Sequence, residues 1–240
     1  SLAFLIILRP FTALIDKLMG SGKMDFERID LSFFDPKENF SKIETGLLNT
    51  LDHSYEFIQE SYNLVTLSIE TNYRGVYEAA IKRLEYFEYF RHDLLRLFSS
   101  FIGNCSDKEQ INNLVQIMSK FEYLFQIHDS VKDITSIKEN LDSNYIELKS
   151  DVLVILRDIF SETLGIFEDL AKENDYAQDD IEFKKKLSQF QSDLLKYNNK
   201  LLKIMSEPDR EDAASIIHLI TYSQRLKDKL SSFKTLMSHQ

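Results

Sequence analysis

Proline and glycine are scarce in this chain, which has three prolines and six glycines among 240 residues. Proteins built from sheets need frequent turns, and most turns use one of these two residues. The scarcity therefore argues against a protein of many short strands. It favours a small number of long helices.

Cysteine is also nearly absent, since Cys105 is the single one. One cysteine forms no internal disulfide and supplies no cluster of thiolate ligands. A reducing compartment fits this usage, and we expect Cys105 to have a structural or incidental role. Hydrophobic residues nevertheless make up 43% of the chain, which is enough for a packed core and excludes a disordered protein.

Positive charge is in short supply, because 29 Lys and Arg against 39 Asp and Glu give a formal net charge of −10. This balance would repel the phosphate backbone of a nucleic acid. The basic run from Lys184 to Lys186 is interpreted as a solvated helix face. We therefore predict no nucleic-acid partner.

A short apolar run, Leu2 to Leu8, opens the chain. It is too short to cross a bilayer, which takes about 20 residues, and it lacks the basic segment that opens a signal peptide. We interpret residues 1–19 as the end of a transmembrane helix with its flank, because basic residues follow the run and would lie in the cytoplasm. An ordinary amphipathic helix that faces a core is the alternative. The basic residues are Arg9, Lys17, Lys23 and Arg28.

Residues 20–43 are predicted to form a linker, because Gly20 and Gly22 break a helix and Pro36 prevents one. Beyond the linker, apolar residues recur at helical spacing in six runs. Each run covers about 25–33 residues, well above the average helix of about 11–12, and long helices of this kind pack side by side in bundles. The first run contains Leu47, Leu51, Tyr55, Ile58, Tyr62, Val65 and Ile69.

Local signals mark the ends of these helices. Residues 103–104 are predicted to end the second helix, and residues 142–144 the third. A probable capping box predicts that the third helix begins at Ser106. Ser206 and Pro208 predict the start of the sixth helix, since proline is tolerated in the first turn.

The six helices divide into two triplets, over residues 44–141 and 142–240. The third helix of each triplet is predicted to begin at a serine, and Asp129 and Asp228 follow these serines at nearly the same distance. A duplicated three-helix unit is the simplest account of this correspondence. The predicted fold class is therefore all-α, with two tandem three-helix bundles.

Two stretches of the chain resemble a known family. Arg83 to Phe98 is similar to the charged second helix of PhoU-like domains, and Leu124 to Ile134 is similar to their third-helix signature. With the membrane-helix tail, the linker and the doubled three-helix unit, the chain resembles the C-terminal PhoU-like domain of a sodium/phosphate cotransporter.

The resemblance implies a regulatory domain on the cytoplasmic face of the cell membrane, which binds and transmits a signal and is not an enzyme. The implied partner is the transmembrane transport domain of the same polypeptide, and a homodimer is compatible with it. A stand-alone helical scaffold or signalling adaptor is the alternative. A metal-dependent bundle enzyme is the third hypothesis and the least favoured.

The resemblance also implies pairs of carboxylates four residues apart, which in this family hold a multinuclear metal cluster. At the matching positions this chain keeps only the second acid of each pair. The loss of half the ligands also removes negative charge that attracts a cation. We therefore predict no cofactor and no metal cluster, and keep the remaining acids as weak candidates, with Glu88 and Asp129 as a single-ion site. The four acids are Glu88, Asp129, Asp193 and Asp228, preceded by Leu84, Phe125, Gln189 and Gln224.

The histidines form no H-x-x-x-H or H-E-x-x-H motif, and the sequence has no glycine-rich phosphate loop. His92 with Asp93, and His128 with Asp129, would support acid–base chemistry only if they met across helices. We interpret these histidines as core-edge or solvated residues. No catalytic residue is predicted.

The cluster of aromatic residues at 86–90 surrounds its helix almost completely. One interpretation is a partner surface of Tyr86, Tyr89 and Phe90, since exposed aromatic residues are enriched at interfaces. The other is a helix buried on most of its sides. The sequence favours neither.

Overall fold

The computed structural model describes residues 26–35, 37–105, 107–172, 179–207 and 210–237. Ser1–Asp30 belongs to one compact unit and Leu31–Gln240 to a second. Residues 26–30, the described part of the first unit, have no regular secondary structure. The predicted membrane-helix tail at residues 1–19 lies outside the described residues.

The described part of the second unit contains six α-helices and no strand, which confirms the predicted all-α class. Among the described residues, no helix combines the length and the apolar character needed to cross a bilayer. In chain order the helices are α1 (Phe40–Thr71), α2 (Arg74–Asn104), α3 (Lys108–Ser143), α4 (Ser150–Lys172), α5 (Asp179–Met205) and α6 (Ala213–Met237).

Helix α1 begins earlier than the predicted end of the linker at residue 43. The side chain of Asn39 accepts a hydrogen bond from the Ser41 amide at 3.0 Å, which caps the first turn. The helix ends where Asn72 adopts a left-handed conformation with φ of 52°, and Lys138 donates to the Asn72 Oδ1 at 2.7 Å. The predicted inward face of α1 is confirmed, since all seven residues of that run are buried.

Helix α3 begins at Lys108, and Ser106 lies outside the described residues. Its N-cap is Asp107, whose carboxylate accepts from the Glu109 amide at 3.0 Å. The N-cap therefore lies one residue after the predicted serine. Both serine and aspartate cap helices well, so the local sequence does not separate them.

Helix α6 begins at Ala213, and the predicted start at Ser206 is wrong. The Ser206 amide still donates to the Leu202 carbonyl at 3.2 Å, so the last turn of α5 continues to this point. Pro208 lies outside the described residues. Within α6, Ile216 faces the core and the adjacent Ile217 is exposed.

The two halves of the chain show the same pattern of helix contacts. Helices α1, α2 and α3 all contact one another, as do α4, α5 and α6. Between the halves, α1 contacts α4, and α3 contacts α6 in the most extensive helix pair of the described chain. Among the described helices, α2 contacts only α1 and α3, and α5 contacts only α4 and α6. The outer positions are therefore occupied by α2 and α5.

Tyr55 of α1 lies at the junction between the halves. Its ring stacks on Phe233 of α6 with a centroid distance of 5.6 Å and packs against Phe167 of α4 at 5.8 Å. Its hydroxyl donates to the Phe167 carbonyl at 2.8 Å. One buried side chain thus joins three helices from both halves.

Candidate functional site

Three side chains that are able to bind a metal ion converge where α2 packs against α3. Glu88 of α2 meets His128 and Asp129 of α3, with one ligand atom from each lying within 4.8 Å of the others. Glu88 and Asp129 were both sequence candidates, and the structure brings them together.

His128 is the enclosed member of this cluster, with 1% of its surface exposed. Its Nε2 lies 3.2 Å from the Leu84 carbonyl oxygen, and its ring packs against Phe87 at 4.7 Å. A carbonyl oxygen only accepts, so Nε2 carries a proton and donates it. The Nδ1 therefore faces the carboxylates, at 3.9 Å from Glu88 Oε1 and 3.6 Å from Asp129 Oδ1.

Two basic side chains neutralise the carboxylates of the cluster. Lys132 Nζ lies 3.0 Å from Glu88 Oε1. Arg91 Nη1 lies 3.6 Å from Asp129 Oδ2. The formal charges of the two carboxylates and of these two basic side chains sum to zero. A metal ion that bound here would compete with Lys132 for the Glu88 carboxylate.

The pKa of the Asp129 carboxyl is lowered from its ordinary value. The main cause is His128, which donates to Asp129 when Nδ1 carries a proton as well as Nε2, and burial of the carboxyl opposes this effect. The charges of His128, Arg91 and Lys132 lower the pKa further. Asp129 is therefore expected to stay ionised at physiological pH and to take part in ion pairs.

We expect Asp129→Asn to lower the free energy of unfolding at neutral pH and to leave it unchanged in strong acid. A carboxyl whose pKa is depressed by folding stabilises the protein above its ordinary pKa, and this stabilisation is lost as the pH falls through the folded-state value. The side chain is half exposed, so the loss at pH 7 should be about 1 kcal/mol or less. Urea unfolding of both proteins at about pH 7 and about pH 3 measures the difference.

The control for this experiment is Asp228→Asn, since Asp228 is an exposed surface acid. Its unfolding free energy should differ little from that of the original protein at both pH values. An equal effect of the two substitutions at neutral pH would mean that the His128 contact does not stabilise Asp129.

Asp193 and Asp228, the other two sequence candidates, do not join this cluster. Asp193 accepts from Gln189 at 2.6 Å and pairs with Lys196 at 2.6 Å. Asp228 pairs with the adjacent Lys227 at 2.7 Å. Within the described residues, Glu88, His128 and Asp129 are the one group of three or more such ligands.

The aromatic segment of α2 divides between core and surface. Tyr86 is half-buried against Phe57, with ring centroids 5.5 Å apart. Tyr89 is 72% exposed, but Phe90 is buried. The prediction of Phe90 as a surface residue is therefore wrong, because it shares the inward face of α2 with Phe87 and Leu94. Tyr89 is the exposed aromatic residue of this segment.

The burial of His128 was not predicted, because this residue was interpreted as a core-edge or solvated histidine. The signal was present in its spacing, since His128 follows Phe121 and Phe125 on the apolar face of α3. That spacing placed the ring inside the bundle, and the structure shows it fully buried. The Leu84 carbonyl that accepts its hydrogen bond lies on another helix and cannot be identified from the sequence.

Comparison of the chain with known protein families, with curated proteins and with solved structures finds no match.

Proposed function

We propose that the chain is a PhoU-like regulatory domain of a sodium-dependent phosphate transporter, and that it acts by binding and not by catalysis. In this proposal the domain consists of two tandem three-helix bundles at the cytoplasmic face of the membrane. Its partner is the transmembrane transport domain of the same polypeptide.

The observation that carries the proposal is the matching pattern of contacts in the two halves. If α1, α2 and α3 are exchanged with α4, α5 and α6, every contacting pair of helices maps onto another contacting pair. The two contacts between the halves, α1 with α4 and α3 with α6, map onto themselves. A duplicated three-helix unit that packs around an approximate twofold axis has this property. The resemblance of residues 83–98 and 124–134 to PhoU-like helices supplies the family and the transport function.

The state of the candidate site favours binding over catalysis. The imidazole of His128 is enclosed, and its Nε2 is held by the Leu84 carbonyl. Glu88 is paired with Lys132 and Asp129 with Arg91. Groups that are paired in this way stabilise the contact between α2 and α3. A general acid or base, by contrast, would have to be within reach of a substrate. We infer that the cluster is a structural ion-pair network.

The proposal is tested by asking whether the domain stays bound to its transport domain after the connection is cut. A protease site is introduced between residues 26 and 30 of the complete gene product, which is then purified in detergent and cleaved. We expect the piece that contains residues 31–240 to co-elute with the membrane-spanning piece. Complete release of the piece, or a gene product without membrane spans, would contradict the proposal and favour a stand-alone scaffold.

A further inference from the structure

The outer side of α5 carries three large apolar side chains that no described helix covers. Ile181, Leu195 and Leu202 are 77%, 55% and 54% exposed. They are 14 and 7 residues apart in the sequence, which is a whole number of heptads, so they lie along one side of the helix. The other outer helix, α2, differs, since its exposed apolar residues Tyr89 and Ile102 do not share this spacing.

The same side of α5 is rich in lysine. With 3.6 residues per turn, the exposed positions around the apolar line between 181 and 203 include four lysines and one acid, Glu182, which follows Ile181 as Lys196 follows Leu195. This composition is unusual in a chain with a net charge of −10. One of the four, Lys196, also pairs with Asp193 of the same helix. The lysines are Lys184, Lys185, Lys196 and Lys203.

We propose that this side of α5 docks on an anionic lipid surface. A helix that lies in the membrane interface combines an apolar line with flanking lysines, because the apolar chains enter the boundary of the acyl region and the ammonium groups remain among the headgroups. From Ile181 to Lys203 the helix is about 33 Å long at about 1.5 Å per residue, so its lysines contact several headgroups at once.

The charge of the whole chain does not prevent this docking. Screening reduces the interaction between exposed charges beyond about 8 Å at physiological ionic strength. Because α5 is an outer helix, the acidic residues on the far side of the bundle lie beyond that distance from a surface in contact with α5. The local charge of this side therefore determines the attraction, and binding should weaken as salt is added.

Charge complementarity favours lipid over a second copy of the chain as the occupant. Pairing α5 with α5 of a second copy would bring two lysine-flanked surfaces together, and like charges at an interface oppose association. Anionic phosphate and carboxylate headgroups complement the lysines without such repulsion. Docking goes beyond the proposed function, and each proposal can fail while the other holds.

The test is flotation of the purified chain with vesicles of phosphatidylcholine, alone or with a quarter phosphatidylserine. We expect binding to the vesicles that contain phosphatidylserine at low salt. Substitution of Lys185→Gln with Lys203→Gln should weaken it by about fivefold for each lysine. Leu195→Ser with Leu202→Ser should weaken it by roughly tenfold or more.

The matched control is Lys82→Gln with Lys108→Gln, which removes the same charge from exposed positions outside α5 and should leave binding unchanged. Circular dichroism checks that each variant is folded. Because Leu2 to Leu8 are present in all proteins, any contribution from them is common to every measurement. Binding that the α5 substitutions leave unchanged, or that does not depend on phosphatidylserine, would overturn the proposal. The proposal would also be overturned if the protein did not bind vesicles and instead formed a dimer that the leucine substitutions dissociate.

Discussion

Substitution of Tyr55 by alanine is expected to lower the free energy of unfolding by about 3–5 kcal/mol, the usual loss for a large buried aromatic residue. The ring of Tyr55 packs between Phe167 of α4 and Phe233 of α6. Its removal leaves a cavity at the point where the halves of the chain meet. Tyr55→Phe keeps the ring and loses only the hydrogen bond to the Phe167 carbonyl, so it should cost about 1 kcal/mol.

Urea denaturation followed by far-ultraviolet circular dichroism measures both Tyr55 variants. The matched control is Tyr89→Ala, since Tyr89 is an exposed tyrosine on an outer helix, and its effect should be within about 0.5 kcal/mol. We expect the original protein to unfold in one transition, because the contacts of α1 with α4 and of α3 with α6 couple the halves. A loss below 1 kcal/mol for Tyr55→Ala would contradict the importance of this junction.

Substitution of Arg210 by alanine is expected to cost about 3 kcal/mol, because it leaves Asp212 buried without its partner. The side chains of Arg210 and Asp212 are only 2% and 3% exposed. The guanidinium donates to both oxygens of Asp212, at 3.0 and 3.2 Å. It also donates to Asp151, at the start of α4, at 3.1 Å. Removal of the arginine thus disconnects the segment before α6 from α4.

The same arginine affects the acid stability of the protein. Burial alone would raise the pKa of the Asp151 carboxyl, but the hydrogen bonds from Arg210 and from the Val152 amide outweigh it and lower that pKa. The stabilisation is present above the ordinary pKa of aspartate and is lost as the pH falls through the folded-state value. The difference between the original protein and Arg210→Ala should therefore shrink in acid.

Thermal or urea unfolding measures the Arg210 variant, and Arg225→Ala is its control. Arg225 forms an exposed pair with Asp133 at 2.8 Å, so its loss should cost less than about 1 kcal/mol. Arg210→Lys keeps the positive charge but loses the planar guanidinium that donates to both Asp212 oxygens. Its loss of unfolding free energy should lie between those of Arg210→Ala and Arg225→Ala. If Arg210→Ala and Arg225→Ala were equally mild, the pair with Asp212 would be only a surface contact.

The helices and their inward faces could be predicted from the sequence, because the period of apolar residues determines both. The run from Leu47 to Ile69 is buried throughout, as the spacing requires. The assignment of Phe90 to a partner surface was wrong because residues 86–90 are all aromatic or acidic, so the helical period cannot be recognised within this segment alone. Only the longer rhythm through Phe87 and Leu94 identifies its face.

The start of α6 could not be predicted from local signals. Ser206 and Pro208 resemble a helix start, but the last turn of α5 extends to Ser206. The structure places the start at Ala213, next to the buried pair of Arg210 and Asp212. Arg210 also donates to Asp151, almost 60 residues earlier in the chain, and a contact at this separation is not encoded in a local motif.

The candidate site was predictable in part. Glu88 and Asp129 were selected by their positions, and they do lie together. Their neutralisation by Lys132 and Arg91 depends on how α2 packs against α3, since Lys132 and Glu88 are 44 residues apart. A single sequence contains no information about which charges on neighbouring helices will face one another.

The most direct test of the central claim is sodium-dependent phosphate uptake by cells that express the complete gene product. It is compared with the same product truncated after residue 30, with both proteins quantified in the membrane. We predict that both transport phosphate and that truncation changes the rate, or its dependence on phosphate concentration. Identical uptake curves, or no sodium-dependent uptake by the complete product, would contradict a regulatory domain of a phosphate transporter.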